Sequence, residues 1–262
     1  MPRKPDSWQA VGPWLAERTG ELKTSIAFLT RLPLAGVAPV TGAALAPAVW
    51  AFPIAGVLVG IIGAVVYALA HRVGLPAWPA AALAIAATLA ATGCLHEDGL
   101  ADMADGFGGG ATRERKLEIM RDSRIGSYAL CALVMSLLLR VSALASLADP
   151  ALVAAGLIAA HAAARATMPA LMFFVPPARS DGLSFQAGRP ASERVAAAVG
   201  LGVLFLAGSL GLRLGIEAAI LLVIVTALFA HQSLKQIGGQ TGDVVGALEQ
   251  VSEVAVLLVA LR

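Results

Sequence analysis

Residues 48–70 read AVWAFPIAGVLVGIIGAVVYALA, twenty-three positions without one charged side chain. About 20 apolar residues cross the roughly 30 Å of bilayer hydrocarbon as an α-helix, whose backbone polar groups are all satisfied within the segment. The stretch therefore predicts a membrane-spanning helix, and the rest of the chain agrees with it. Of 262 residues, 58% are hydrophobic and 14% charged, where soluble domains carry about 45–50% and about 25%. One water-surrounded core could not hide so many apolar side chains.

Six further segments qualify as spans: 78–95, 125–148, 151–175, 195–212, 216–234 and 244–261. The expected fold is all-α, a polytopic helix bundle of about seven transmembrane helices forming one catalytic domain over 1–262. The first 46 residues read as an interfacial segment, with Trp8, Trp14, Ile26, Phe28 and Leu29 dipping into the headgroup layer. Residues 1–23 are too polar to form a cleavable signal.

Several function classes drop out at once. A net charge of +2 and 5% aromatic residues supply neither the basic patch nor the stacking surface of a nucleic-acid binder. Cys94 and Cys131 lie in apolar runs without ligand spacing, which rules out a disulfide scaffold or a zinc ribbon. The lipid bilayer is the one partner that composition implies directly, and a homo-oligomer is left open.

Connections of two lengths alternate along the chain. The short ones are 71–77, 149–150 and 213–215; the long polar ones are the N-terminal 46 residues, 96–124, 176–194 and 235–243. Alternation puts every long connection on one side. That side holds Arg3, Lys4, Arg18, Lys23, Arg31, the cluster Arg113–Arg124, Arg179, Arg189, Arg194 and Lys235, against Arg72, Arg213 and Arg262 on the other. The positive-inside rule makes the long side cytoplasmic.

Chemistry concentrates in His96-Glu97-Asp98-Gly99-Leu100-Ala101-Asp102-Met103-Ala104-Asp105-Gly106. Asp98, Asp102 and Asp105 stand at i, i+4 and i+7, so on a helix their carboxylates share an arc of about 60°. Like charges at that spacing oppose helix formation, and no cation stands between them. A divalent ion would supply the missing charge, and oxygen ligands suit Mg²⁺ or Mn²⁺. Asp98, Asp102 and Asp105 are thus the candidate catalytic and metal-binding residues, with Asp122 or Asp243 completing the metal site. The alternative is three aspartates decorating a polar surface loop.

Downstream, Arg113, Arg115, Lys116, Arg121 and Arg124 surround Asp122. Guanidinium forks suit phosphate oxygens, although such runs also serve as topology signals. Carboxylates and arginines in one cytoplasmic segment favour metal-assisted phosphoryl transfer. Arg179-Ser180-Asp181 adds a cation and an acid, and Gly238-Gly239-Gln240-Thr241-Gly242-Asp243 offers backbone N–H groups to a phosphate. Within the spans, His161 and Arg165 share one face, with Arg140 on the preceding helix. Such cations face a cavity or a partner, here substrate contact by Arg165 or pairing with Glu249 or Glu253.

Four separated motifs then resemble one family, the adenosylcobinamide-GDP ribazoletransferases, also called cobalamin-5′-phosphate synthases. They are Phe28-Leu29-Thr30-Arg31-Leu32-Pro33, His96 through Gly106, Leu117 through Gly126 and Gly238 through Ala247. The resemblance implies a multi-pass enzyme of the bacterial inner membrane with its active site facing the cytoplasm. Its substrates would be adenosylcobinamide-GDP and α-ribazole or its 5′-phosphate, with Mg²⁺ required and GMP released. Arg31, Arg121, Arg124, Arg165, Arg179 and Thr241 are the expected substrate-binding residues.

Two other readings compete. Asp105-Gly106 matches the opening of the CDP-alcohol phosphotransferase motif, but Gly109-Gly110 stand where its Ala-Arg pair belongs. A transporter would line its path with Arg140, His161 and Arg165, yet the reactive residues gather on one side, where a carrier needs access from both.

Overall fold

The computed structural model describes residues 7–35 and 40–262, with side chains from Gly12 onward. Arg3, Lys4 and the side chain of Trp8 lie outside the described residues. Helix α1 (Ser7–Leu29) leads through two 3₁₀ turns and α2 (Leu45–Ala48) into α3 (Phe52–Arg72). Then come α4 (Ala77–Thr92), α5 (Leu95–Gly109), α6 (Arg113–Ile119), α7 (Ser127–Leu147), α8 (Pro150–Phe174), α9 (Gly182–Ala187), α10 (Ser192–Ile237) and α11 (Gly242–Val259). Among the described residues there is no strand, only a single bridge between Pro177 and Gln240.

The expected count of seven spans is not confirmed. Among the described residues, four helical runs are long and apolar enough to cross a membrane: Gly42–Arg72, Ser127–Leu147, Pro150–Phe174 and Ser192–Ile237. A fifth arises if α4 and α5, which meet at 90°, are taken as one broken span. The shortfall has two causes. The predicted spans 195–212 and 216–234 share the run Ser192–Ile237, and 244–261 carries Glu249 and Glu253, which burial in the protein makes tolerable. Inside Ser192–Ile237 the chain turns back at Gly211, whose φ of 78° is open to glycine and strained for other residues. A Cβ on Gly215 would lie 3.0 Å from the Cα of Ala207, a contact that only two antiparallel legs allow.

Helix α8 is the central pillar, most of its residues being buried. Glycine lets α3 rest on it backbone to backbone: a Cβ at Gly56 would stand 2.2 Å from the carbonyl oxygen of His161, and one at Gly60 2.8 Å from that of Leu157. Outward, Ile61, Val65 and Leu69 of α3, Leu130, Val134 and Leu138 of α7, and Ile220, Ile224 and Leu228 of α10 are exposed. Their four-residue spacing forms apolar stripes fit for acyl chains.

Two apolar clusters fill the interior. One lies around Tyr67, Ile85, Leu144 and Leu157. The other, around Leu29, Phe52, Met168, Leu171 and Leu248, supports the end where α5 lies across the bundle. Leu29 is fully buried there, and Phe28 stacks on Phe52 at 6.1 Å. The end of α1 thus packs into protein where the sequence suggested the headgroup layer, because Leu45, Val49 and Phe52 fold back over it. Trp14 is exposed.

Candidate functional site

The stretch 96–124, expected as a polar connection, is largely helical, and α5 presents its three aspartates from one face as the spacing requires. What brings other residues to that face is a crossing. A Cβ on Gly99 would come within 2.9 Å of the carbonyl oxygen of Asp243, and one on Gly246 within 3.5 Å of the Cα of Gly99. Backbones touch at this point, so Asp243, in the first turn of α11, joins the acidic face.

The electrostatics record the crowding. The Asp102 carboxyl is pushed up to about 7, first by burial and then by Asp243, Asp98 and Asp105. Burial also raises the Asp243 carboxyl, partly offset by Arg179 and by the Thr241 hydroxyl. That hydroxyl donates to Asp243 Oδ2 at 3.1 Å and accepts from the Val244 amide at 3.3 Å. Thr241 is therefore the N-cap of α11 and the orienter of Asp243.

Asp105 has a different employment. Its two oxygens accept from the amides of Gly126 at 2.6 Å and Ala129 at 2.9 Å, capping the start of α7 from outside. Asp122 is gripped by Arg124, whose Nε lies 3.0 Å from both carboxylate oxygens. These hydrogen bonds hold the Asp122 carboxyl down at about 2. Asp98, Asp102 and Asp243 remain as the oxygen donors with the least counter-charge. Arg179 stands beside them, 3.5 Å from Asp243. Such a set fits a hard divalent cation.

The basic residues divide by task. Arg121 donates from Nη2 to both carboxylate oxygens of Asp181, at 2.7 and 2.6 Å, in the open. Arg113 donates to the carbonyls of Ile237 at 2.8 Å and Ala178 at 2.7 Å. Lys116 donates to Gly110 O at 2.6 Å. Arg113 and Lys116 therefore satisfy helix-end and loop carbonyls, a role that the run of basic residues did not reveal. Arg31 lies against Gly93 at the bend between α4 and α5 and lines neither cavity described next.

Arg165 is spent inside the bundle. It pairs with Glu249 at 2.6 Å, while Arg140 bridges Glu97 at 3.0 Å and Glu253 at 3.2 Å. His161 Nδ1 is 3.0 Å from Glu253 and His96 Nδ1 3.4 Å from Glu249. This is the pairing alternative for the intramembrane cations. His161, Glu249 and Glu253 stand close enough for a metal, but the two arginines already engage both carboxylates.

Two cavities flank α5, and Asp98 lines both. One, of about 260 Å³, has walls of Phe28, Leu45, Phe52, Met168, Met172 and Phe185 and a polar end at Arg179, Gln240, Thr241 and Asp243. The other, of about 510 Å³, is bordered by Asp102, Asp105, Arg121, Asp122 and Arg124. The role of the Gln240 side chain and the apolar walls went unnoticed in the sequence, since residues from α1, α2, α3, α8 and α9 have no common spacing.

Comparison with known proteins points to one family. The family described as cobalamin-5-phosphate synthase matches residues 21–261. A protein of Bradyrhizobium diazoefficiens named adenosylcobinamide-GDP ribazoletransferase is 53% identical over 240 residues, 92% of each chain. Its namesake in Mesorhizobium japonicum is 56% identical over 90% of each chain. That of Brucella ovis is 42% identical over 91% of this chain and 95% of its own. No solved structure matches.

Proposed function

The chain belongs to the cobalamin-5-phosphate synthase family, and from that premise we infer how its residues carry out the reaction. It is a transferase of cobalamin biosynthesis that joins adenosylcobinamide-GDP to α-ribazole or its 5′-phosphate and releases GMP. A ribazole hydroxyl oxygen attacks the phosphorus attached to the cobinamide side. The new P–O bond forms there, the bond to the GMP oxygen breaks, and the hydroxyl proton passes to a base.

One observation carries the roles: Asp98 borders both cavities, so it stands where acceptor and activated donor meet. Asp98 takes the proton of the attacking hydroxyl. Asp102 and Asp243, brought together by the α5–α11 crossing, would hold Mg²⁺. When bound there the ion would offset charge on the diphosphate and on departing GMP. Asp105 keeps α7 in register with this face.

Arg121, Arg124 and Arg179 take the diphosphate. The first two rest in exposed pairs with Asp181 and Asp122. Exposed ion pairs are weak, so exchange of a carboxylate for a phosphate costs little. The site opens to the cytoplasm of a bacterial inner membrane, a reading supported by the basic residues gathered at this end.

The test is direct. Purified protein supplied with adenosylcobinamide-GDP, α-ribazole and Mg²⁺ should release one GMP for each corrinoid product formed. GMP release that ignores α-ribazole, or CMP release from a CDP-activated alcohol, would replace this reading.

A further inference from the structure

The smaller cavity carries more than the assignment of Asp98. Its walls are mostly aromatic, aliphatic and thioether, yet three buried nitrogens of residues that line it have no hydrogen-bond partner among the described residues: His96 Nε2, Arg179 Nη1 and Gln240 Nε2. Gln240 is 1% exposed. Its side-chain oxygen accepts from the Ser184 hydroxyl at 2.6 Å, and its backbone is pinned to Pro176 and Ala178 at 2.8 Å. The amide is thus held firmly with its N–H₂ unsatisfied. A buried donor left so is destabilising, and a ligand acceptor in the cavity would satisfy it.

Resting on the proposed function, we propose that this cavity is the subsite for the aromatic base of the ribazole acceptor, and that Gln240 donates to its ring nitrogen. The base is a flat dimethylated benzimidazole. One edge is wholly apolar, and its single free acceptor is the ring nitrogen that is not bonded to ribose. Phe28, Phe52, Met168 and Met172 suit the apolar face, the methionine sulfurs favouring ring contact. The ribose would then lead out past Thr241 toward Asp98, the residue at the reaction point.

The other moieties fit less well. A corrin macrocycle is far too large for about 260 Å³. Guanine carries donors and acceptors on most of its edges, and those turned to Phe28, Phe52, Met168 and Met172 would be left unpaired. An acyl chain offers nothing to the three nitrogens. The donor is therefore left to the wider, arginine-edged cavity on the other side of α5.

The experiment compares α-ribazole with the α-riboside of dimethylindole, in which C–H replaces the ring nitrogen, in GMP-release assays. The wild-type protein should show a KM about tenfold lower for α-ribazole, the worth of one hydrogen bond. Gln240→Met should erase that preference by raising the α-ribazole KM alone, with the KM for adenosylcobinamide-GDP unchanged. Met172→Trp, which fills the cavity, should raise the KM for both acceptors and leave that of the donor. A wild-type protein indifferent to the ring nitrogen, or a Gln240→Met effect equal on both acceptors, overturns the proposal. So does a rise in the donor's KM, which would make the cavity a guanine site. Absence of any GMP release by the wild type strikes instead at the underlying function.

Discussion

A Cβ added to Gly99 would stand 2.9 Å from the carbonyl oxygen of Asp243, so the acidic helix α5 rests on the opening turn of α11 with no side chain between. This contact joins two acidic residues more than a hundred positions apart into one electrostatic unit. Gly99→Ala is the smallest change that pries them apart. It should cost about 1–3 kcal/mol of stability, as overpacking does. Turnover should fall more steeply than the fraction folded, because Asp102 and Asp243 separate. Unfolding followed in detergent beside kcat measures both, and a variant with normal kcat would deny the crossing its role.

The metal assignment has a pH signature. Without metal the Asp102 carboxyl is pushed up to about 7, so its proton competes with Mg²⁺ below neutrality. The Mg²⁺ concentration for half-maximal activity should rise up to tenfold per unit of falling pH below 7 and level off above it. For the metal-free fold the sign is opposite to that of a salt-bridged acid. The folded state favours protonated Asp102, so stability falls as pH climbs from about 4 toward 7. Asp102→Asn should flatten both dependences and raise the Mg²⁺ requirement.

Arg121 and Arg124 separate a phosphate grip from a topology signal. Lysine preserves the positive charge that orients the chain but lacks the planar fork. Arg121→Lys should raise the KM for adenosylcobinamide-GDP by about tenfold, with insertion intact and the α-ribazole KM unmoved. Arg124→Lys should act in the same direction. Ordinary kinetics in both variants would reduce the pair to orientation signals.

Arg165, 2.6 Å from Glu249 within the bundle, should behave as a structural cation. Arg165→Met strands a buried carboxylate and should cost about 3–5 kcal/mol. Arg165→Met combined with Glu249→Met should recover most of that loss. Recovery of stability with activity still absent would restore Arg165 to the substrate-binding set.

Sidedness is open to labelling. With the exposed Cys94 and Cys131 replaced, a cysteine at Asp181 should react in inverted vesicles and resist an impermeant reagent in right-side-out ones. The reverse pattern would turn the site toward the periplasm.

Hydropathy and helical periodicity are local, so a single strand of text carries them. The charge-free run at 48–70, the clustering of basic residues on one set of connections and the shared face of Asp98, Asp102 and Asp105 were all legible for that reason. So was the family, whose motifs are short and contiguous. Where helix faces meet is decided by close approach between distant backbones, and spacing along the chain does not encode it. That is why Asp105 turned out to cap α7, Arg165 to pair with Glu249, and two expected spans to share one run folded at Gly211. The same reason hid the role of the Gln240 side chain and the aromatic and methionine walls beside it: seven separate helices line that cavity, and only their packing gives it a shape.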